Sequence, residues 1–121
     1  MQITQKNFHK KILGRAGELK ATEFLKKNGY KILETNYTTP LGEIDIIATD
    51  KEYVVFIEVK TRTSDVYGAP SEAVNFRKQQ KYYKTALYYL QRNKKTESPC
   101  RFDVIEIEDG KINHILNAFS M

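Results

Sequence analysis

The spacing of apolar residues along the chain predicts a first helix over residues 10–28. Apolar side chains recur there about every 3.6 residues, with lysines between them. Gly29 follows directly, and glycine often ends a helix because it adopts a left-handed conformation at little cost. The face that we predict to be buried consists of Ile12, Ala16, Leu19 and Leu25.

A second amphipathic helix is predicted from about Ser71 to near Arg92. Ser71 is a favoured N-cap residue, and Glu72 lies in the first turn, where a negative charge interacts favourably with the helix dipole. A polar loop over residues 61–70 would connect this helix to the preceding strand. The face that we predict to be buried consists of Phe76, Tyr83, Leu87 and Leu90.

The segments outside the helices contain the short apolar runs that are typical of β-strands. Residues 43–49 and 53–60 are predicted to form a hairpin, and residues 54–57 are apolar on both faces, as in the central strand of a sheet. Further strands are predicted over residues 31–36, 101–107 and 111–115.

The predicted order of elements is therefore α-β-β-β-α-β-β. Two strands joined through a helix form a parallel pair with a right-handed connection, whereas the strands of a hairpin are antiparallel. The predicted fold class is α/β, with a small mixed β-sheet flanked by helices.

The chain has 121 residues, enough for one hydrophobic core, so residues 1–121 are expected to form a single domain. Apolar residues make up 40% and charged residues 29%, a composition that excludes a disordered or low-complexity protein. The sequence contains no apolar run long enough to cross a bilayer and no apolar stretch typical of a signal peptide. The single cysteine, Cys100, cannot form an internal disulfide. We therefore expect a cytoplasmic protein with no membrane partner.

The net charge of +5 is distributed unevenly. Residues 1–40 and 71–100 each carry a net charge of +5, whereas residues 41–70 carry −3 and residues 101–121 carry −2. A uniformly basic domain would only bind phosphates. An acidic segment between two basic ones instead predicts that the basic segments bind an anionic partner and that the carboxylates bind a cation.

The acidic segment places carboxylates within two otherwise apolar strands, at Asp45 and Glu58. If Lys51 and Glu52 form the hairpin turn, Asp45 lies directly opposite Glu58, with their Cβ atoms ~5 Å apart. A three-residue turn would shift this register by one residue. Like charges that face each other are destabilising, and a divalent cation between them would reverse the sign of that interaction.

Lys60 lies two residues after Glu58, on the same face of the strand. It could orient a water nucleophile or stabilise the charge that develops around phosphorus. Mg²⁺ is commonly bound by one or two carboxylates with waters and phosphate oxygens, so these groups suit metal-assisted phosphodiester hydrolysis. The alternative is that Asp45 is a solvated strand residue and that Glu58 and Lys60 form an ordinary ion pair.

Several short motifs of this chain resemble those of a known family, in the same order. They are Gly14-Arg15-x-Gly17-Glu18, Asn36-Tyr37, Gly42-Glu43-Ile44-Asp45, Phe56-x-Glu58-Val59-Lys60-Thr61-Arg62 and Arg101-Phe102-Asp103-Val104. In this combination, the chain resembles the YraN-like family of small bacterial proteins from about Leu13 to Ile107. That family is similar to the restriction-endonuclease-like PD-(D/E)xK superfamily and to archaeal Holliday-junction resolvases.

The resemblance implies a restriction-endonuclease-like fold and an endonuclease that hydrolyses DNA, including branched or structured DNA. It implies that Asp45 is the motif aspartate, that Glu58 is the second acidic ligand of Mg²⁺ or Mn²⁺, and that Lys60 is the catalytic lysine. Glu18 would match the additional acidic metal ligand that resolvase-like members carry on the first helix. Ile44 departs from the pattern, because the superfamily has a proline before the aspartate.

The glycines near Glu18 provide separate evidence about the first helix. Gly14 and Gly17 each cost a helix ~1 kcal/mol relative to alanine, so their presence suggests a close approach of the helix backbone to the sheet or to a ligand. Without the resemblance, the favoured interpretation of Glu18 is a solvated helix charge.

Basic side chains are the candidate contacts to a nucleic acid. The candidates are Arg15, Arg62, Arg77, Lys78 and Lys81. The second helix interleaves such residues with Tyr82, Tyr83, Tyr88 and Tyr89, a combination that suits phosphate contacts and base stacking. The alternative is an amphipathic helix with its lysines in solvent and its tyrosines, Tyr83 above all, in the core.

Three hypotheses about function follow. The first is a Mg²⁺- or Mn²⁺-dependent endonuclease acting on DNA, for which a homodimer would supply two active sites to a duplex. The second is a nucleic-acid-binding module of the same fold with little or no catalysis. The third is a protein-interaction factor whose basic segments bind another partner.

Overall fold

A computed structural model describes residues 5–62 and 76–120, with side chains described from residue 14 onward. Its elements follow the predicted order α-β-β-β-α-β-β, and the fold class is mixed α/β. They are α1 (Gln5–Lys27), β1 (Lys31–Thr39), β2 (Gly42–Asp50), β3 (Tyr53–Arg62), α2 (Phe76–Arg92), β4 (Cys100–Glu108) and β5 (Lys111–Phe119).

The five strands form one sheet in the order β1-β2-β3-β4-β5. The pair β3 and β4 is parallel, and all other neighbouring strands are antiparallel. The predictions of a central β3 and of a parallel pair joined through a helix are therefore confirmed.

The two helices lie on opposite faces of this sheet. Val54 and Phe56 of β3 are buried in a hydrophobic cluster with residues of α2, and Val55 and Ile57 are buried in a second cluster with residues of α1. Successive side chains of a strand point to opposite faces, so the apolar run of β3 is buried on both sides.

The buried face of α1 differs from the prediction. Gly17, Ala21 and Leu25 are buried at a spacing of four residues, whereas Leu19 is 68% exposed and Ala16 is also exposed. Each residue turns a helix by about 100°, so Leu19 lies on the side opposite to this stripe. The apolar periodicity correctly predicted the helix and the burial of Leu25, but it was wrong for Ala16 and Leu19.

Small residues explain the orientation of the helix. A Cβ at position 17 would overlap the Thr61 hydroxyl of β3, so Gly17 allows the helix backbone to approach the sheet, as predicted. At Gly14, a Cβ would meet no described atom within 4 Å. Ile12, the remaining predicted face residue, lies outside the residues whose side chains are described.

The buried face of α2 also differs in part. Leu90 is buried and Tyr83 packs against the core as predicted, but Phe76 is 75% and Leu87 is 51% exposed. Both lie about a third of a turn or more from the centre of the buried stripe. That stripe consists of Tyr82, Thr85, Ala86, Tyr89 and Leu90. The helix ends at Arg92 as predicted, and the N-cap predicted at Ser71 lies outside the described residues.

The C-terminal end of α1 confirms the role predicted for Gly29. Its φ of 88° is left-handed, the Tyr30 N–H donates to the Leu25 carbonyl at 2.9 Å, and the Gly29 N–H donates to the Lys26 carbonyl at 3.1 Å. These two bonds are a Schellman motif, which directs the chain from the helix into β1.

The strands extend beyond their predicted ends because pairing with neighbours continues through polar residues. On β3, Thr61 pairs with Ile107 and Arg62 with Glu108, so both residues belong to the strand and not to the predicted loop. The rest of that loop lies outside the described residues. Within residues 5–62 and 76–120, no helix has the length and apolarity needed to cross a membrane.

Candidate functional site

The hairpin of β2 and β3 brings Asp45 next to Glu58. Asp50 pairs with Tyr53, so Lys51 and Glu52 form the turn, and the pairing continues to Ile46 and Ile57. Asp45 and Glu58 are the next residues in this register, which confirms the two-residue turn on which their juxtaposition depended. The turn is local, so the sequence left only two turn lengths open, and the pairing selects the two-residue one.

The regular alternation of β2 breaks at Asp45. Ile46 is buried in the cluster of α1, whereas Ile44 is buried in the cluster of α2, although residues two apart in a strand normally share a face. Beyond the last pair of β2 with β3, the Asp45 Oδ2 atom accepts a hydrogen bond from the Val59 N–H at 2.8 Å. A hydrogen bond from the Asp45 side chain therefore joins the two strands where the backbone pairing has ended.

Glu58 is buried on the face of the sheet that α2 covers, with a side-chain exposure of 9%. Its Oε1 atom accepts a hydrogen bond from the Lys78 Nζ atom at 2.7 Å, and its Oε2 atom accepts one from the Tyr82 hydroxyl. Lys78 and Tyr82 are four residues apart on α2, which places them on the same side of the helix.

The electrostatic environment of Asp45 is unfavourable for a carboxylate. Burial, followed by the charge of Glu58, raises its pKa to about 7, and Glu18 contributes in the same direction. The Val59 N–H and the Lys78 charge oppose the rise without cancelling it. A partly buried carboxyl group whose pKa is raised to about 7 beside a second carboxylate is a candidate functional group.

Lys60 lies two residues beyond Glu58 and is partly buried. Burial lowers the pKa of its ammonium group, Glu58 opposes this effect, and the charges of Lys78 and Arg62 add to it. A lysine with a lowered pKa can exchange a proton more readily at neutral pH than a solvated lysine.

Glu18 lies on α1, on the other side of the sheet from α2. It is close enough to affect the pKa of Asp45. However, within residues 14–62 and 76–120 no group of three His, Cys, Asp or Glu side chains is arranged to hold a metal ion. Glu18 therefore does not complete a three-residue metal-binding group with Asp45 and Glu58 among the described side chains.

The two carboxylates alone still fit the chemistry of a hard divalent cation. Mg²⁺ commonly uses one or two carboxylates and completes its shell with waters and substrate phosphates. Asp45 uses Oδ2 to bind the Val59 N–H, and its Oδ1 atom accepts no hydrogen bond from the residues that the structure describes. That oxygen is open to a cation, whereas an oxygen of Glu58 can bind a cation only if Lys78 or Tyr82 gives up its hydrogen bond.

A cleft of about 540 Å³ lies beside Glu58, between the start of α2 and the turn that joins β1 to β2. It brings together the three basic residues predicted on α2, namely Arg77, Lys78 and Lys81. The opposite wall contains Thr38, Thr39, Gly42 and Glu43, which the sequence analysis did not identify as lining residues.

Gly42 sets the width of this cleft at one end. Its φ of 153° is strained for other residues, and a Cβ there would lie 2.9 Å from the Thr85 hydroxyl of α2. A glycine is therefore required for the close approach of α2 to the start of β2.

The other two predicted basic contacts lie elsewhere. Arg15 is exposed on α1. Arg62, at the end of β3, lines a separate cavity of about 150 Å³ with Gly17 and Lys20 of α1, among other residues. The five candidates therefore do not form one continuous site in the described part of the chain.

The tyrosines of α2 are mainly core residues, as the alternative interpretation proposed. Tyr82 and Tyr89 are each 3% exposed, and the Tyr83 ring packs against Phe102 at a centroid distance of 5.0 Å. Tyr88 is partly exposed, with the Arg92 guanidinium 5.4 Å from its ring centroid. Base stacking on Tyr82 or Tyr89 is therefore excluded by burial in this conformation.

A second polar cluster, which sequence reasoning missed, surrounds the fully buried Asp103 on β4. The Arg101 Nε atom donates to Asp103 Oδ1 at 2.9 Å, and the Arg101 Nη2 atom donates to Oδ2 at 3.0 Å. His114 Nε2 lies 2.8 Å from Oδ2, and the Asn117 N–H donates to Oδ1 at 2.8 Å. Arg101 also contacts Asp50 at 3.2 Å and the Tyr30 hydroxyl at 2.6 Å.

This cluster has the opposite electrostatic character to that of Asp45. Burial alone would raise the pKa of Asp103, but hydrogen bonds from His114, Arg101 and Asn117 outweigh it and hold the pKa below its ordinary value. The two-residue spacing of Arg101 and Asp103 on a strand was the available signal. The partners on β5 and α1 could not be recognised without the fold.

Comparison with known proteins supports the family resemblance. The model of the family described as Uncharacterised protein family UPF0102 matches residues 17–107. A UPF0102 protein of Thermodesulfovibrio yellowstonii is 58% identical over 107 residues, which cover 88% of this chain and 95% of the relative.

Two further relatives match over nearly their full lengths. A UPF0102 protein of Caldanaerobacter subterraneus subsp. tengcongensis is 49% identical over 121 residues, covering 94% of this chain and 99% of the relative. One from Clostridium botulinum strain 657 is 50% identical over 118 residues, covering 92% and 96%. With this match to the family model and identities of about half over most of its length, the chain belongs to the UPF0102, or YraN-like, family.

Proposed function

We propose that this protein is a divalent-metal-dependent nuclease that hydrolyses phosphodiester bonds in DNA. The observation that carries the proposal is the juxtaposition of Asp45 and Glu58, in which the Val59 N–H and the Lys78 charge compensate Asp45 only in part, so that its pKa is raised to about 7. The resemblance of the motifs around these residues to the restriction-endonuclease-like superfamily, and to Holliday-junction resolvases in particular, supports the same assignment.

In this proposal, Asp45 and Glu58 hold Mg²⁺ or Mn²⁺. A bound divalent cation would supply Lewis-acid polarisation of a phosphate oxygen and would lower the pKa of a coordinated water. Glu18 assists from α1 through its charge or through a water, because its carboxylate does not join the other two in a cluster.

Lys60 would act on the attacking water, which it orients and from which it can accept a proton in its neutral form. Its lowered pKa, caused first by burial, favours this role. The water oxygen forms a bond to phosphorus, the bond from phosphorus to the leaving oxygen breaks, and the leaving oxygen takes up a proton from solvent. One water is consumed for each bond broken.

The cleft of α2 would bind the DNA backbone. Arg77 and Lys81 line this cleft together with Lys78, and Lys78 also contacts Glu58. Arg77 and Lys81 offer N–H donors to phosphate oxygens from the α2 wall of the cleft. We expect this contact to position the strand and to carry no sequence preference.

The proposal is tested with a panel of single-stranded, duplex and four-way-junction DNA in Mg²⁺ or Mn²⁺. Wild type should cleave at least one of these substrates, and Asp45→Ala and Lys60→Ala should lose activity by about 10²-fold or more. Glu52→Ala is the matched control, because it removes an exposed carboxylate from the turn of the same hairpin. Equal cleavage by wild type and Asp45→Ala would contradict the assignment.

A second candidate is a nucleic-acid-binding module without catalysis. It is favoured by the engagement of both Glu58 oxygens and by the absence of a three-residue metal cluster from the described side chains. This candidate predicts DNA binding that weakens steeply with salt and that Arg77→Ala or Lys81→Ala reduces. It also predicts that Asp45→Asn has no effect on binding in the presence or absence of Mn²⁺.

A further inference from the structure

Lys78 provides a positive charge at the point where the proposed function requires a metal ion. Its Nζ atom lies 2.7 Å from Glu58 Oε1, and its charge also lowers the pKa of Asp45 from the value that burial and Glu58 would give. An ammonium group and a divalent cation cannot both lie against the same carboxylate oxygen without strong repulsion.

The two partners of this ion pair differ in their freedom to move. The Glu58 side chain is 9% exposed and is also bound by the buried Tyr82 hydroxyl, whereas the Lys78 side chain is 48% exposed. If the pair separates, the lysine is therefore the partner that leaves. An ion pair with one exposed partner is weak, so its separation reduces the affinity of a competing cation by about fivefold or less.

The structure also provides a place for the displaced ammonium group. Lys78 lines the cleft between Arg77 and Lys81, where the proposed function places the DNA backbone. A lysine on a flexible four-carbon stem can exchange a carboxylate for a phosphate oxygen without movement of the helix.

We propose that Lys78 is an internal counter-ion that occupies the metal position at Glu58 and is displaced into the phosphate-binding cleft when a divalent cation binds. The inference rests on the proposed function. It adds that metal binding and DNA binding are coupled, because the phosphate backbone stabilises the position of Lys78 that the metal requires. Each ligand should therefore increase the affinity of the other by the same factor.

The test compares Mn²⁺ affinity in Lys78→Met and Lys81→Met by isothermal titration without DNA. Methionine retains much of the apolar stem of the lysine, and each variant loses one positive charge from the same cleft. Of the two lysines, Lys78 is the one whose contact with Glu58 the described residues show. Lys78→Met should bind Mn²⁺ about three- to fivefold more tightly than wild type, and Lys81→Met should stay within about twofold.

A second measurement uses the unmodified protein. Acetic anhydride labels free amines, so the labelling rate of Lys78, determined by peptide mass spectrometry, should rise when Mn²⁺ is added. The rate at Lys84, which is exposed on the same helix, serves as the internal control.

The outcomes separate this inference from the proposed function. If wild type binds Mn²⁺, Asp45→Asn does not, and Lys78→Met binds no more tightly than wild type, the metal site is supported and the role of Lys78 is wrong. If neither wild type nor Lys78→Met binds Mn²⁺, both ideas are overturned. If only Lys78→Met binds measurably, the displacement is supported in its strongest form. A labelling rate of Lys78 that does not change with Mn²⁺, in wild type that binds the metal, also overturns it.

Discussion

Asp45 and Asp103 lie in the same sheet, and their environments shift the pKa of the carboxyl group in opposite directions. Asp103 on β4 is fully buried, and its pKa is held below the ordinary value. Asp45 on β2 is partly buried, and its pKa is raised to about 7. Burial favours the neutral form of both groups, so it does not by itself explain why their pKa values shift in opposite directions.

The partners of each carboxylate explain the difference. Arg101, His114 and the Asn117 N–H surround both oxygens of Asp103, so its negative charge is compensated in place. Asp45 receives one backbone hydrogen bond and lies beside the carboxylate of Glu58.

The comparison separates a structural charge from a candidate functional one. A compensated buried charge stabilises one arrangement of strands, whereas an uncompensated charge costs stability and is retained where a site needs it. The raised pKa of Asp45 therefore marks it as a candidate functional residue, which a count of acidic residues could not do.

The largest change in the free energy of unfolding is expected from Asp103→Asn. The substitution leaves the Arg101 guanidinium, which is 13% exposed, without its bidentate partner, and should lower the free energy of unfolding by about 3–5 kcal/mol in urea titrations at pH 7. Asp50→Asn is the control, because Asp50 contacts the same guanidinium from a more exposed position and should cost under about 1 kcal/mol. Similar losses in the two variants would show that Asp103 has no special compensation.

The second-largest effect is expected from Asp45→Asn, which should raise the free energy of unfolding at neutral to alkaline pH instead of lowering it. The folded-state pKa lies above that of the unfolded chain, so the wild-type free energy of unfolding should fall as pH rises from about 4 to 7. The asparagine can still accept the Val59 N–H but carries no charge. At pH 8 the variant should be more stable than wild type by about 2–4 kcal/mol, and at pH 4 the two should be nearly equal.

Urea titrations of Asp45→Asn across this pH range, with Glu52→Gln as the exposed control, measure the difference. Asp103 should act in the other part of the range, because a lowered pKa gives stability above the unfolded-state value that is lost as pH falls below about 4. A constant difference between Asp45→Asn and wild type from pH 4 to 8 would contradict the raised pKa.

The smallest effect is expected on the pKa of Asp45 when a neighbouring carboxylate is removed. Glu58→Gln and Glu18→Gln should both lower it, and the Glu58 substitution should lower it more, because Glu58 is the stronger of the two electrostatic influences. Carbon-13 NMR of the Asp45 carboxyl group through a pH titration measures both shifts. If neither substitution changes this pKa, burial alone is responsible, and the contrast with Asp103 rests on Arg101 and His114 rather than on like charge.

Features that depend on neighbours in the sequence were predicted well. The end of α1 at Gly29, the turn at Lys51 and Glu52, and the pairing that leads to Asp45 and Glu58 each follow from local backbone geometry. The acidic motif could be identified for the same reason, since its residues lie on one hairpin.

Features that depend on distant parts of the chain were not predictable in the same way. Apolar spacing placed Leu19 and Phe76 in the core, but both are exposed, because the contacts of each helix with the sheet select its buried stripe. Lys78 was expected to contact nucleic acid, and its ion pair with Glu58 arises only when α2 packs over β3.

The sequence by itself determined the order of elements and limited the hairpin to two registers, one of which places the two carboxylates opposite each other, because short turns and caps act through local geometry. Only the tertiary structure decided which carboxylate is compensated. Arg101 and His114 reach Asp103 through pairing within the sheet, whereas the burial and the like charge that raise the pKa of Asp45 arise from packing around the hairpin. Solvation and Coulomb energies depend on distances in space, and the fold sets those distances.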